Sequence, residues 1–150
     1  MIKRRTLLAM LATAPLVATR AQAGPSRISS NDGYAIGGYD PVGYFASGAP
    51  VPGVDAHMLM WRGAVWRFAT QTNLSIFERN PIAHAPRYGG YCAYAMAHGF
   101  LKVSDPQAWR IYEGRLYLTA SPSILTHWSD DIPANVARAD ECWPAAFMAG

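Results

Sequence analysis

Six dipeptides cut this chain into short pieces. Asp40-Pro41, Asn80-Pro81, Asp105-Pro106 and Ser121-Pro122 each set a side-chain acceptor before a proline, the pairing that caps a helix and fixes its first φ. Arg62-Gly63 and Glu113-Gly114 place glycine between apolar runs, where a hairpin turns. The segments between these breaks have room for short elements only. "YAIGGYDPVGYFASG" reads as a short extended piece and then one brief helix opened by Asp40-Pro41. "HMLMWRGAVWRFAT" reads as a hairpin turning at Arg62-Gly63, and Thr70 caps a helix through about Arg79 with Leu74 and Phe77 on its inner face. Asn80-Pro81 restarts the chain. Asp105-Pro106 is expected to open a turn of helix, and "WRIY" and "RLYL" flank a second hairpin at Glu113-Gly114. Ser121-Pro122 caps a last helical region, interrupted at Ile132-Pro133 and resumed from Asn135 to about Cys142. The predicted fold is small α+β: one antiparallel sheet of short hairpins covered by several short helices. The two hairpin units share their grammar, but their side chains do not match, so no internal repeat is predicted.

The first residues set a context. "MIKRRTLLAMLATAPLVATRAQAG" has a basic start, an apolar stretch from Leu7 to Ala18 and a small-residue site at Ala21-Gln22-Ala23, the order of a signal peptide. Its apolar run is too short to span a bilayer, and Arg4-Arg5 before Thr-Leu-Leu resembles a twin-arginine leader. The expected division is a signal peptide at 1–23, a Ser/Gly/Pro-rich flexible linker at 24–33, a folded domain at 34–144 and a C-terminal tail at 145–150. The expected location is periplasmic or secreted. Cleavage would remove Lys3, Arg4, Arg5 and Arg20 from the 13 basic residues and leave 9 against 10 acidic ones. The mature chain then carries no basic run that would grip nucleic acid, and nothing that would hold it to a membrane.

The stretch richest in chemistry is "YGGYCAYAMAHG", residues 88–99. If residues 90–98 form a helix ended by Gly99, Cys92 and Met96 stand at i and i+4 on one face, and His98 near the helix end can swing toward them. Thiolate, thioether and imidazole together suit Cu(I); four ligands for zinc cannot be counted. The plain alternative is that Cys92 and Met96 are core, among Tyr88, Tyr91 and Tyr94. A disulfide between Cys92 and Cys142 is a further alternative, closing a loop of about 50 residues and adding roughly 4 kcal/mol of stability. Met58 and Met60 share one face of a strand, and beside Trp61 they read as core. His84 and His127 are isolated. There is no Gly-x-Ser-x-Gly, His-Glu-x-x-His, phosphate loop or Cys-x-x-Cys. Cys92 with a nearby histidine leaves a thiol redox enzyme as the only enzymatic reading.

Four strings in order, "GGYDPVGYFASGAPVPG", "GAVWRFATQTNLSIFERNP", "YGGYCAYA" and "DIPANVARADECWP", resemble the longer, exported form of the YHS domain over nearly all of residues 34–144. The family's short form resembles residues 39–84 and implies metal binding through cysteines. Here Gly43 stands where that pattern has Cys after "DPV", and Ala69-Thr70 and Asn73 stand where it has Cys-Ser-x-x-Cys. Only His57 falls where the short form carries its histidine. The expected function is thus a non-enzymatic exported domain that holds a soft metal such as copper at Cys92, Met96, His98 and His57, for sequestration or transfer to a metal-handling protein. The rival from another class is a structural or interaction domain without metal.

Overall fold

The computed structural model describes residues 23–148, so the expected signal peptide lies, apart from Ala23, outside the described residues. The fold is α+β. A small ladder of β1 (Ser30–Asn31) and β2 (Tyr34–Ala35) leads through a 3-10 turn at Ile36–Gly38 to α1 (Gly43–Ala46). The hairpin of β3 (Val54–Trp61) and β4 (Ala64–Phe68) precedes α2 (Gln71–Arg79) and α3 (Pro81–His84). A second 3-10 turn at Arg87–Gly90 leads to α4 (Ala93–Ala97), the hairpin of β5 (Asp105–Tyr112) and β6 (Arg115–Thr119), then α5 (Pro122–Ser129) and α6 (Ile132–Ala145). Among the described residues no helix is long and apolar enough to cross a membrane.

Local chemistry accounts for the elements. Both hairpins turn on two residues with positive φ, Arg62 and Gly63 at 50° and 76°, Glu113 and Gly114 at 48° and 72°. That is the I′ geometry whose twist matches the flanking strands. Thr70 Oγ1 accepts from the Asn73 amide at 3.1 Å and Ser121 Oγ from Ile124 at 3.2 Å, capping α2 and α5. Asn80 caps α3 through Ala83, and Asp131 caps α6 through Ala134.

Five expectations are corrected. Met58 and Met60, read as core, are 45% and 66% exposed, because their face of β3 is the outward one. Among the described residues the strands form three separate two-stranded ladders, not one sheet. The linker assigned to 24–33 is docked from Ile28 onward: Ile28 and Ser29 are buried, and the Ser29 amide donates to the Gly89 carbonyl at 2.9 Å. Burial of Ile28 acts together with the bonds of Ser29 to Gly89 and Ile36, the Tyr91 hydroxyl on the Ser26 carbonyl and the β1–β2 ladder to hold this polar segment down. Asp105-Pro106 starts β5 rather than a helix, because Asp105 Oδ1 takes the Gln107 amide at 2.9 Å while its backbone pairs with Thr119. Ile132-Pro133 opens α6 instead of interrupting it, since proline in the first turn has no amide bond to lose.

The hairpin units are two copies of one backbone plan, so the expectation of no repeat is also overturned. Val54 pairs with Phe68 and Asp105 with Thr119, Trp61 with Ala64 and Tyr112 with Arg115, each pair displaced by 51 residues, and both β3 and β5 carry their register shift at matching places. Ahead of them, Ile36, Gly37 and Gly38 have φ of 45°, 65° and 79°, and Tyr88, Gly89 and Gly90 have 56°, 60° and 82°. The helix after each hairpin returns an aromatic ring to its strand: Trp66 meets Phe77 at 5.2 Å and 33°, and Tyr117 meets Trp128 at 5.1 Å and 35°. The core has two lobes divided by β6, whose Leu116 and Leu118 face the Trp66–Phe68–Phe77 cluster while Tyr117 faces Met96, Trp128 and Ala139.

Candidate functional site

Cys92 does not lie inside a helix. Its φ of −56° and ψ of 116° make it the N-cap of α4, where Sγ accepts from the Ala95 amide at 3.4 Å, and its own amide donates to the Lys102 carbonyl at 2.8 Å. The helix starts three residues later than the sequence suggests, at Ala93 rather than residue 90, because the left-handed run at Tyr88–Gly90 uses up the first turn. Cys92 and Met96 therefore do not share a helical face. Cys92 is 1% exposed as a residue and borders a small cavity of about 140 Å³ with Phe100, Lys102, Ala120 and Ile124, whereas Met96 is fully buried among Tyr88, Tyr117, Trp128 and Ala139.

The other expected ligands lie elsewhere. His98 caps the end of α4, exposed, with Nδ1 donating to the Tyr94 carbonyl at 2.7 Å and its ring against Tyr94. Tyr94 also stacks with His127. His57 is on β3, half-buried, with Nδ1 buried and without a hydrogen-bond partner. Among the described residues no three His, Cys, Asp or Glu side chains converge as a metal site. The structure thus does not bring Cys92, Met96, His98 and His57 together. Nor is the Cys92–Cys142 bridge formed: both cysteines are free, Cys142 half-buried on α6.

In the first unit the position matching Cys92 is Asp40, fully buried. Its Oδ1 accepts from the Val42 and Gly43 amides at 2.9 and 3.2 Å, and Oδ2 from the Ala69 amide at 2.9 Å and Asn73 Nδ2 at 2.7 Å. One carboxylate ties the starts of α1 and α2 together, a set of charge-assisted bonds stronger than neutral ones. Gly43, Ala69 and Asn73 are the positions at which the YHS resemblance would place cysteines, and here they converge on Asp40. In the second unit Ala120 and Ile124 match Ala69 and Asn73, and they line the cavity beside Cys92.

A larger cleft, about 220 Å³, opens where the two units meet both ends of the described chain. Arg62 comes from the first hairpin turn, Arg87 from the second 3-10 turn, Arg115 from β6 and Arg27 from the N-terminal segment, with Trp61, Tyr88 and Trp143 as aromatic walls and no acidic side chain in the lining. Arg87 pairs with Asp140 at 2.6 Å, and Tyr88 Oη donates to the same Oδ1 at 2.9 Å. Burial first, and that carboxylate second, push the Tyr88 phenol well above the usual tyrosine range. Sequence reasoning missed this cleft because its arginines are scattered singly; the readable sign was an arginine at a hairpin turn, which no local motif marks. Comparison with protein-family models, with curated proteins and with solved structures finds no match to the chain in any of the three.

Proposed function

We propose that the protein is an exported, non-enzymatic binding module in which Cys92 is a structural residue, neither a metal ligand nor a nucleophile. The observation that carries this reading is the position of Sγ, buried and already engaged with the Ala95 amide as the cap of α4. A Cu(I) site would need Met96 to leave a filled apolar cluster and His98 to give up its bond to Tyr94. A thiol enzyme would need a solvent path to the sulfur of a residue that is 1% exposed. Export rests on the order of the leader, and the absence of a recognisable catalytic constellation in the sequence supports a binding role.

Two measurements test it. Cu(I) is titrated under reducing conditions into wild type, Cys92→Ser, Met96→Leu and His98→Gln, and a thiol reagent is added to the native protein. The expected results are no Cys92-dependent stoichiometric copper binding, and labelling of Cys92 only when the chain unfolds. One Cu(I) per chain that disappears in Cys92→Ser would restore the soft-metal reading, and fast labelling of native Cys92 would restore the thiol-redox one.

A further inference from the structure

We propose that the cleft between the two units binds a small organic oxyanion, a carboxylate or phosphate carried on a flat apolar body. The inference goes beyond the binding role argued from Cys92 and stands on different residues.

The charge is the first argument. Four of the 13 basic residues of the chain line one cleft, and no carboxylate lines it with them. Arg87 has Asp140, but Arg27, Arg62 and Arg115 have no acidic partner within ion-pair distance among the described residues. Guanidinium groups gathered without counter-charge repel one another, and an anion arriving among them relieves that repulsion. The donors are the second. Arg115 is half-buried; one Nη donates to the Ile82 carbonyl at 3.3 Å, while Nε is buried and has no hydrogen-bond partner. An unsatisfied buried donor on a planar fork matches the paired oxygens of a carboxylate or phosphate.

The walls specify the rest of the ligand. Arg62 lies 4.6 Å over the Trp61 ring and Arg27 4.6 Å over Phe147, so each guanidinium is steadied by a ring face while its N–H groups stay free for another partner. Trp143 packs 6.0 Å from Tyr88 at an angle of 61°, giving the cleft a second aromatic side. A flat apolar body can lie between these walls with its acidic group toward Arg115. The volume, about 220 Å³, is below that of pockets built for drug-sized molecules, which sets the ligand at one ring or its equivalent. The place agrees with the general rule that ligand sites form where folded units meet.

The test measures binding of benzoate, phenyl phosphate, inorganic phosphate and benzamidine to the purified protein by calorimetry at low ionic strength. Variants are Arg115→Gln, Arg62→Gln and, as a control away from the cleft, Arg110→Gln. Arg62 and Arg110 are exposed, so neither change should disturb folding. The expected result is that benzoate or phenyl phosphate binds one per chain, more tightly than inorganic phosphate, and that benzamidine does not bind. The arm that binds tighter identifies carboxylate or phosphate. Arg115→Gln and Arg62→Gln should each weaken binding about tenfold or more, and Arg110→Gln by less than about twofold. The proposal is overturned if no anion binds at millimolar concentration, if benzamidine binds as well as the anions, if inorganic phosphate matches phenyl phosphate, or if Arg110→Gln weakens binding as much as the cleft variants.

Discussion

Residues 36–79 and 88–129 follow one backbone plan with two different junctions. In the first, Asp40 is fully buried and joins the starts of two helices through four hydrogen bonds. In the second, Cys92 makes one weak bond at the matching place, Ile124 replaces Asn73 as a neighbour, and a cavity of about 140 Å³ remains. The difference teaches that turns and caps specify the backbone, and that the same backbone can be completed at its junction by different chemistry, each with its own set of partners. A charge that is fully hydrogen-bonded stiffens the first unit, while the second tolerates a soft, mostly apolar group.

Exchanging the two residues is the strongest way to break this comparison. Asp40→Cys removes the acceptor of four donors, two of them on buried backbone, and is expected to cost roughly 4 kcal/mol. Cys92→Asp is expected to cost about 1 kcal/mol or less, since the Ala95 amide, the cavity and Lys102 can receive a carboxylate. Urea midpoints of the two variants measure the difference. Equal losses would mean that the junctions match in backbone only.

The next contrast lies in the left-handed turns. A Cβ at Gly89 would overlap the Arg27 carbonyl, whereas one at Gly37 would meet only Pro106 Cγ at 3.6 Å. Gly37→Ala should therefore cost about 1 kcal/mol for its positive φ alone. Gly89→Ala should cost about 3 kcal/mol, because the N-terminal segment must also leave its seat. Faster proteolysis near Arg27 in Gly89→Ala, absent in Gly37→Ala, would locate the damage.

These pairs also show how legible the chain was. The hairpins at Arg62-Gly63 and Glu113-Gly114 and the caps at Thr70 and Ser121 could be read directly, because each is a local signal with a local cause. The repeat could not be read from side-chain identity, since Thr70 matches Ser121, Asn80 matches Asp131 and Trp66 matches Tyr117 in role rather than in type. The sequence places Cys92 inside a helix because Tyr88 holds a positive φ that only the glycines after it advertise. The arginine cleft showed in the sequence only as a single arginine at a hairpin turn: its residues meet only when both units and both ends of the described chain are in place.

Alkaline pH separates the units more gently. Burial raises the phenol of Tyr44 in the first unit and that of Tyr88 in the second above the ordinary tyrosine range. The unfolded chain then releases these protons first, so the stability they contribute is complete below about pH 10 and falls as pH rises further. Tyr44→Phe and Tyr88→Phe should each flatten the loss above pH 10 by about 1.4 kcal/mol per pH unit, read from unfolding midpoints against pH. Unchanged slopes would place the alkaline sensitivity on other groups.

The smallest expected effect concerns the ring pair common to both units, in which the tryptophan has changed sides. In the first unit it is on the strand, and Trp66 Nε1 donates to the Trp61 carbonyl at 3.1 Å. In the second it is on the helix, and Trp128 Nε1 is buried with no hydrogen-bond partner. Both rings are fully buried, so replacing either by phenylalanine removes the same atoms and leaves a similar space. Trp66→Phe in addition loses the indole bond to the Trp61 carbonyl, which keeps only its place in the hairpin ladder, whereas Trp128→Phe removes a donor that had no acceptor. The first substitution should therefore cost about 1 kcal/mol more than the second. Equal losses in urea unfolding would show that Trp128 Nε1 has a partner in solution, such as a bound water, and that the two ring pairs are equivalent in polarity as well as in geometry.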